Sequence, residues 1–328
     1  MSNHAAVSLV AEEEYRDPSE SDQYHFLEMI GSGATGTVFK AKDKKDKGRL
    51  VAIKQLRYDN AEGTPHFIMR EISDLRRLGG SEFIVNLLDV FAEPAKSLLR
   101  RRSSEMTLNL VFEYVEQDLA QHIQGASGSS MFSEAYIKDL MEQLLRGVEA
   151  IHNNNIIHRD LKPSNVLVTD NGRLKISDFG LSRPFQTGKI LSTQVVTICY
   201  RAPELLLSTG SYSIAVDMWS VGCIFAEMYL KHPLFQATNE INMLKQIFKV
   251  IGTPSITDWP TSVHIDLDSF EKLKPQELTK ILPGASRETC SLISKLLIFK
   301  DTDRLTVEGA LQDDYFQAAE SQDSGITV

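Results

Sequence analysis

The chain has 328 residues, and 42% of them are hydrophobic, which is enough for a buried core and excludes global disorder. Lys and Arg total 35 against 44 Asp and Glu, so the formal net charge is −9, which argues against a general nucleic-acid binder. No apolar run reaches the roughly 18 to 20 residues of a membrane span, and Cys199, Cys223 and Cys290 form no CxxC pair that would indicate a disulfide framework or a zinc site.

Two polar segments enclose the part of the chain that we expect to fold. Residues 1–23 carry six acids and one Arg, so we predict an acidic flexible tail there. A second flexible tail is predicted over 317–328. The folded domain is therefore expected to span 24–316.

Alternating apolar and polar residues near the start of this domain are typical of β-strands. The predicted strands lie on both sides of a Gly-rich turn at 31–36, over 50–54, around 84–91 and over 107–113. One helix is predicted among them, because Ile68, Ile72 and Leu75 recur at helical spacing. Pro65 suits its first position, and Gly79-Gly80 suits its end.

After about residue 115 the apolar pattern becomes helical. Residues 133–152 carry an apolar stripe of period 3.6 behind Ser133, a plausible N-cap. Residues 216–230 are apolar nearly all round, so we expect this helix to be buried. The predicted fold is α+β and bilobal, with a small β-rich N-lobe over about 24–115 and a larger, mainly helical C-lobe over about 116–316.

The glycines of the turn at 31–36 are spaced G-x-G-x-x-G, a pattern that lets backbone N–H groups approach phosphate oxygens. A dinucleotide-binding loop would open a helix, whereas these glycines precede a predicted strand. A P-loop would continue with Lys and Ser/Thr, whereas Thr37 and Val38 follow here. A Gly-rich hairpin over ATP remains, beside the alternative of a plain turn.

Four further motifs follow in order and, together with the glycines, resemble the protein kinases. They are V-A-I-K at 51–54, H-R-D-L-x-x-x-N at 158–165, D-F-G at 178–180 and A-P-E at 202–204. Five motifs in this order are not expected by chance. The resemblance implies the bilobal kinase fold, ATP and Mg²⁺ as cofactors, and phosphoryl transfer as the activity.

The resemblance also implies a role for each motif residue. The residues expected to take part in catalysis are Asp160, Lys162, Lys54, Glu71 and Thr197. The expected metal ligands are Asn165 and Asp178, whose oxygen atoms suit Mg²⁺. The residues expected to bind the nucleotide are Ile30, Gly31, Gly33, Gly36, Val38, Ala52, Lys54, Phe112, Glu113, Val115, Asp118 and Leu167. For His158 we favour a packed structural side chain over a catalytic base.

Within the kinases, residues 24–318 are similar to the cyclin-dependent kinases. The segments 110–119, 135–147 and 216–228 most resemble the cyclin D-dependent branch that acts in G1 phase. The helix at 62–71 resembles the family's cyclin-docking helix. The resemblance implies a D-type cyclin as partner, Ser/Thr-Pro sites on retinoblastoma-like proteins as substrates, regulation by cyclin-dependent kinase inhibitors, and a location in the nucleus and cytoplasm.

The same resemblance implies an activating phosphorylation between Asp178 and Glu204. Counting back from 195–197 places Ser192 at the phosphorylated position, with Thr193 as the alternative. Phosphate orders a loop by pairing with arginines. The expected partners are Arg70, Arg159 and Arg183.

Two other functions stay open from the sequence. One is a cyclin-binding scaffold that has lost catalysis, although Lys54, Asp160, Asn165 and Asp178 are all present. The other is a proline-directed kinase of the mitogen-activated type that needs no D-type cyclin. That class carries Thr-x-Tyr in its activation loop, and no such triplet lies in 181–199.

Overall fold

The computed structural model describes residues 23–33, 36–95, 105–125, 132–184, 198–207, 209–210, 212–263 and 265–317. Of the predicted tails, only residues 23 and 317 are among the described residues. Ser192, Thr193 and Thr197 lie outside them. Contacts between residues divide the chain into two units. The first takes residues 1–61 and 88–114, and the second takes 62–87 and 115–328.

The first unit is built on a five-stranded sheet in the order β1-β2-β3-β5-β4. Its strands are β1 Tyr24–Gly33, β2 Gly36–Asp43, β3 Arg49–Asp59, β4 Leu87–Pro94 and β5 Glu105–Glu113. Strand β1 pairs antiparallel with β2, β2 with β3, and β3 with β5. The predicted alternation therefore produces a sheet, as expected for the β-rich part of the fold.

One face of this sheet forms an apolar core. Its buried members are Tyr24, Phe26, Phe39, Ala41, Val51, Ile53 and Val111. Tyr24 stacks on Phe91 with ring centroids 5.6 Å apart, and its hydroxyl donates to Oδ2 of Asp89 at 3.1 Å. Because side chains alternate across a strand, Lys40 and Ala52 point to the opposite face.

The strand predicted around 84–91 begins later than expected, at Leu87. Ile84 belongs to the second unit and forms a parallel bridge with Ile176 of the same unit. The main-chain N–H of Val85 donates to the oxygen of Ile176 at 3.0 Å, and that of Ile176 donates to the oxygen of Phe83 at 2.8 Å. Residues 83–85 have the apolar character of a strand, but their hydrogen bonds are used outside the sheet.

The predicted first helix is α1, His66–Arg77, and it buries Ile68, Ile72 and Leu75 as its spacing predicts. Pro65 lies at the N-cap rather than at the first helical position, because its ψ of 135° is extended. The helix belongs by contacts to the second unit. Its last turn is held there, since Arg77 donates to the main-chain oxygen of Asn154 at 2.5 Å.

The second unit is mainly helical. Its further helices are α2 Leu119–Gly125, α3 Glu134–Asn153, α4 Pro203–Leu206, α5 Ala215–Leu230, α6 Glu240–Ile251, α7 Leu278–Ile281, α8 Arg287–Leu296, α9 Val307–Leu311 and α10 Asp314–Gln317. Its short strands are β6 Gln117–Asp118, β7 Ile156–Ile157, β8 Val166–Val168, β9 Leu174–Ile176 and β10 Arg183–Pro184. Strands β6, β8 and β9 form one small sheet, and β7 pairs with β10.

Helices α3 and α5 confirm two sequence predictions. The hydroxyl of Ser133 accepts a hydrogen bond from the main-chain N–H of Tyr136 at 3.1 Å and so caps α3. Every residue of α5 from Ala215 to Met228 is buried. Among the described residues, no helix is long and apolar enough to cross a membrane.

Gly222 of α5 lies against the end of α8. A Cβ atom at Gly222 would come within 2.9 Å of Cδ2 of Leu297 and within 3.0 Å of Cβ of Leu296. Both leucines are buried, so neither can move away into solvent. The absence of a side chain at Gly222 therefore permits this close packing.

We predict that Gly222→Val lowers the stability of the protein by about 1–3 kcal/mol, because overpacking forces neighbouring side chains out of their rotamers. The matched control is Gly125→Val at the end of α2, where an added Cβ meets nothing within 4 Å. Urea unfolding monitored by fluorescence compares the two. Equal unfolding midpoints for both variants would contradict the prediction.

Candidate active site

The Gly-rich segment forms the end of β1 and the beginning of β2, where Gly33 pairs with Gly36. Gly36 has φ 127°, a conformation that side chains other than glycine rarely adopt. A Cβ atom there would also collide with the main-chain oxygen of Gln55. The glycines therefore open a strand, as predicted for a kinase hairpin, and not a helix.

Lys54 lies in the middle of β3 and is buried, with 6% of its surface exposed. Its neighbours across the sheet are Val38 on β2 and Leu110 on β5. Ala52, two residues earlier on the same face, pairs with Phe112. Four of the residues predicted to bind the nucleotide therefore share the face opposite the apolar core of the first unit. They are Val38, Ala52, Lys54 and Phe112.

The remaining residues predicted to bind the nucleotide lie on β1 and β5 of the first unit and on or beside short strands of the second unit. Ile30 is 46% exposed on β1, and Glu113 ends β5. In the second unit, Val115 is buried and Asp118 on β6 pairs with Leu167 on β8. Asp118 also accepts a hydrogen bond from the N–H of Gln121 at 2.8 Å, at the start of α2. Burial raises the pKa of Asp118, although hydrogen bonds from the main-chain N–H groups of Gln121 and Ala120 oppose the shift.

The predicted catalytic loop lies between β7 and β8 and is held by Asp217 of the buried helix α5. Oδ2 of Asp217 accepts from the main-chain N–H of His158 at 2.9 Å, and Oδ1 accepts from that of Arg159 at 2.8 Å. Nε2 of His152, on α3, lies 3.0 Å from the same Oδ2. Arg159 has φ 68°, a strained value for this residue, and the bonds to Asp217 hold it in place.

Asp217 is fully buried and yet remains charged. Burial alone would raise its pKa. The hydrogen bond from His152, the nearby His158 and the N–H of Arg159 outweigh burial and hold the pKa below its ordinary value. The loop is therefore anchored by a buried carboxylate whose pKa is lowered by its own hydrogen-bond partners.

His158 has the structural role that the sequence predicted. Its Nε2 lies 2.9 Å from the main-chain oxygen of Ser177, and Nδ1 accepts from the N–H of Asp160 at 3.3 Å. Its ring meets Phe179 edge-on at 5.0 Å. Both ring nitrogens are thus used within the protein, so His158 is not a general base.

Asp160 and Lys162, both predicted to take part in catalysis, are in direct contact. Nζ of Lys162 lies 2.7 Å from Oδ2 of Asp160, and Nδ2 of Asn165 donates to the same Oδ2 at 3.0 Å. Among the described residues, none donates a hydrogen bond to Oδ1. One carboxylate oxygen is therefore fixed by its neighbours, and the other is placed to bind a hydroxyl group.

Asn165 and Asp178 are the predicted Mg²⁺ ligands. The amide nitrogen of Asn165 donates to the main-chain oxygen of Asp160 at 2.8 Å, which leaves the carbonyl oxygen Oδ1 as the atom that can bind a cation. The N–H of Ser177 donates to the main-chain oxygen of Asn165 at 2.9 Å, which brings the neighbouring Asp178 to this turn. One amide oxygen and one carboxylate fit Mg²⁺, which completes its shell with water and phosphate oxygens.

The three arginines predicted to bind phosphate lie near one another. Burial lowers the pKa of Arg183, and the positive charges of Arg70 and Arg159 lower it further. Arg159 donates to the hydroxyl of Tyr212 at 2.7 Å, while its Nε is buried with no hydrogen-bond partner among the described residues. A cluster of positive charges suits a phosphate group, but the predicted acceptors Ser192 and Thr193 lie outside the described residues.

Sequence analysis missed two residues that hold this site. Arg304 is buried and binds Glu204 of the A-P-E motif through two hydrogen bonds, at 2.8 Å and 3.1 Å. It also donates to the main-chain oxygen of Ala215 at 2.7 Å. Asp217 was the second omission. An acid in a helix that is apolar nearly all round was the available signal for Asp217, although Glu227 of the same helix gives the same signal. No local signal marks Arg304.

The sheet with its Gly-rich hairpin and the anchored loop around Asp160 are features of a protein kinase. A family model described as "protein kinase domain" matches residues 24–316. Cyclin-dependent kinase 4 of Ovis aries is 40% identical, over 92% of this chain and 98% of the relative. The same enzyme of Mus musculus is 40% identical over 91% and 98%, and that of Xenopus laevis is 40% identical over 90% of each chain.

The chain belongs to the protein kinase family and, within it, to the cyclin-dependent kinases. It is a serine/threonine protein kinase that uses ATP with Mg²⁺. This confirms the α+β kinase fold, the enzyme class and the cofactors expected from the sequence. The individual roles of the site residues stay predictions that the geometry above supports.

We predict that Glu204→Gln lowers stability by about 3 kcal/mol, because the Arg304 guanidinium would remain buried without its negative partner. The control is Glu277→Gln, which breaks an exposed ion pair with Lys280 at 2.9 Å. An exposed pair contributes less than about 1 kcal/mol. Thermal unfolding of the two variants measures the difference, and equal transition temperatures would contradict the assignment.

Proposed function

We propose that this kinase is activated by a D-type cyclin and phosphorylates Ser/Thr-Pro sites on retinoblastoma-like proteins, and so controls progression through G1. The proposal extends to action in the nucleus and the cytoplasm and to regulation by cyclin-dependent kinase inhibitors. It is supported by the relatives named cyclin-dependent kinase 4 and by the surface of helix α1.

The exposed side of α1 carries the observation on which the proposal rests. Phe67 is 46% exposed and Met69 is 53% exposed, although both are large apolar residues. At about 100° per residue they flank the buried face that holds Ile68 and Ile72. Large apolar side chains of this kind are typical of the centre of a protein–protein interface. A cyclin that covers them would remove this surface from water.

Helix α1 also connects that surface to catalysis. It carries Glu71, which is 1% exposed and which we expect to orient Lys54. A partner bound to Phe67 and Met69 would fix the orientation of the helix and thereby the position of Glu71. Activation by a cyclin requires this dependence of the site on the helix.

The chemistry proposed for the site follows from the loop around Asp160. Oδ1 of Asp160 orients the substrate hydroxyl and accepts its proton as the hydroxyl oxygen bonds to the γ-phosphorus. The bond between the γ-phosphorus and the β,γ-bridging oxygen of ATP breaks in the same transfer, and ADP leaves. The positive charge of Lys162, held on Oδ2, is available to stabilise negative charge that develops on the transferred phosphoryl group. Asn165 and Asp178 would hold Mg²⁺, which would supply further positive charge at the phosphates.

We predict that Asp160→Asn reduces phosphorylation of a retinoblastoma-like Ser-Pro peptide by at least about 100-fold, because the proton acceptor is lost. The assay contains purified kinase, a D-type cyclin, ATP and Mg²⁺. Binding of the cyclin, measured by calorimetry, is expected to stay unchanged. The control variant is Asp170→Asn, which alters an exposed acid in the turn between β8 and β9.

Two outcomes would overturn parts of the proposal. Full activity without cyclin would exclude cyclin activation and favour a proline-directed kinase of another branch. Loss of cyclin binding in Asp160→Asn, with binding intact in Asp170→Asn, would mean that Asp160 supports the fold rather than the chemistry.

A further inference from the structure

Helix α1 is joined to the segment after the D-F-G motif by one short, buried hydrogen bond. The hydroxyl of Ser182 donates to Oδ2 of Asp74 at 2.7 Å. Asp74 is 3% exposed and Ser182 is 2% exposed, so water does not compete for this bond. The two residues are 108 positions apart in the sequence. The bond is thus a tertiary link and not a local turn.

Each of these residues lies close to a residue of the site. Asp74 follows Glu71 by three positions, so both lie on the same buried face of α1. Ser182 follows Asp178 by four positions, directly after the 3₁₀ turn Phe179–Leu181. The bond therefore connects the helix that carries Glu71 with the segment that begins at Asp178.

The electrostatic setting of Asp74 makes Ser182 an important partner. Burial raises the pKa of Asp74, whereas the hydrogen bond from Ser182 and the charges of Arg77 and Arg70 lower it. A buried carboxylate that loses a hydrogen bond keeps its full cost of desolvation. Two apolar side chains in the same place would avoid that cost. The polar pair instead restricts how α1 lies against the segment after the D-F-G motif, because a hydrogen bond restricts the relative position of donor and acceptor.

We propose that Asp74 and Ser182 are positioning residues for phosphoryl transfer. Their hydrogen bond fixes helix α1, and with it Glu71, against the segment that starts at Asp178. Both side chains are buried, so they are not exposed to bind the nucleotide or the substrate. The inference requires kinase activity but no particular cyclin, so it is independent of the proposed partner.

The test uses the full chain and four variants, namely Ser182→Ala, Asp74→Leu, Asp74→Leu/Ser182→Ala and the conservative Asp74→Asn. For each, kcat and KM for ATP are measured with a Ser-Pro peptide, and thermal unfolding is recorded. All rates are taken relative to the wild-type chain under the same conditions, with and without cyclin. A wild-type chain that does not respond to cyclin would count against the proposed partner alone.

We expect Ser182→Ala to lower kcat about tenfold with less than a threefold change in KM for ATP. The double variant should unfold at the wild-type temperature or above it, because no polar group is left unpaired, and yet keep the low kcat. Asp74→Asn retains an oxygen acceptor and should keep most of the activity. In the double variant we therefore expect the unfolding temperature to recover while kcat stays low.

A purely structural pair would behave differently. In that case the double variant would recover both its unfolding temperature and its kcat, and this result would overturn the inference. Wild-type kcat in Ser182→Ala would also overturn it. If Asp74→Leu alone fails to fold, Ser182→Ala and the double variant still decide the question.

Discussion

The catalytic loop depends on one buried carboxylate. Asp217 accepts hydrogen bonds from two consecutive main-chain N–H groups, those of His158 and Arg159, and also contacts His152. An unpaired charge at this depth would destabilise the protein strongly, so these partners make a buried acid tolerable. Because the main chain of the loop is bound at His158 and Arg159, the position of the next residue, Asp160, is also restricted.

Helix α5 provides the same kind of support for the segment around the A-P-E motif. The hydroxyl of Ser220 donates to the main-chain oxygen of Tyr200 at 2.9 Å, and the hydroxyl of Tyr200 donates to Glu227 at 2.7 Å. Arg304 joins the helix, through Ala215, to Glu204. A rigid, buried helix thus orients both loops of the second unit through hydrogen bonds. Reactive side chains gain precision when their supporting residues are themselves fixed.

Most of the fold and the motif residues could be predicted from sequence, since local patterns determine them. Alternation predicted the strands, helical spacing predicted α1 and α3, and an apolar run predicted α5. The resemblance to the kinase motifs indicated Asp160 and Asn165. Tertiary partners could not be found in this way. The partners of Glu204 and Ser182 are 100 and 108 residues away, and no local pattern marks them. For the same reason, Ile84 and Val85 were expected in the strand around 84–91, although they pair with Ile176 instead.

Amide hydrogen exchange in Asp217→Asn shows whether Asp217 holds the catalytic loop in place. An asparagine has one acceptor oxygen in place of two, so at least one of the N–H groups of His158 and Arg159 loses its partner. We predict exchange at least about tenfold faster at these amides, while the amides of α6 exchange at the wild-type rate. In the control variant Asp266→Asn, which alters an exposed acid, the amides of His158 and Arg159 are expected to exchange at the wild-type rate. Wild-type exchange rates at both His158 and Arg159 in Asp217→Asn would contradict the prediction.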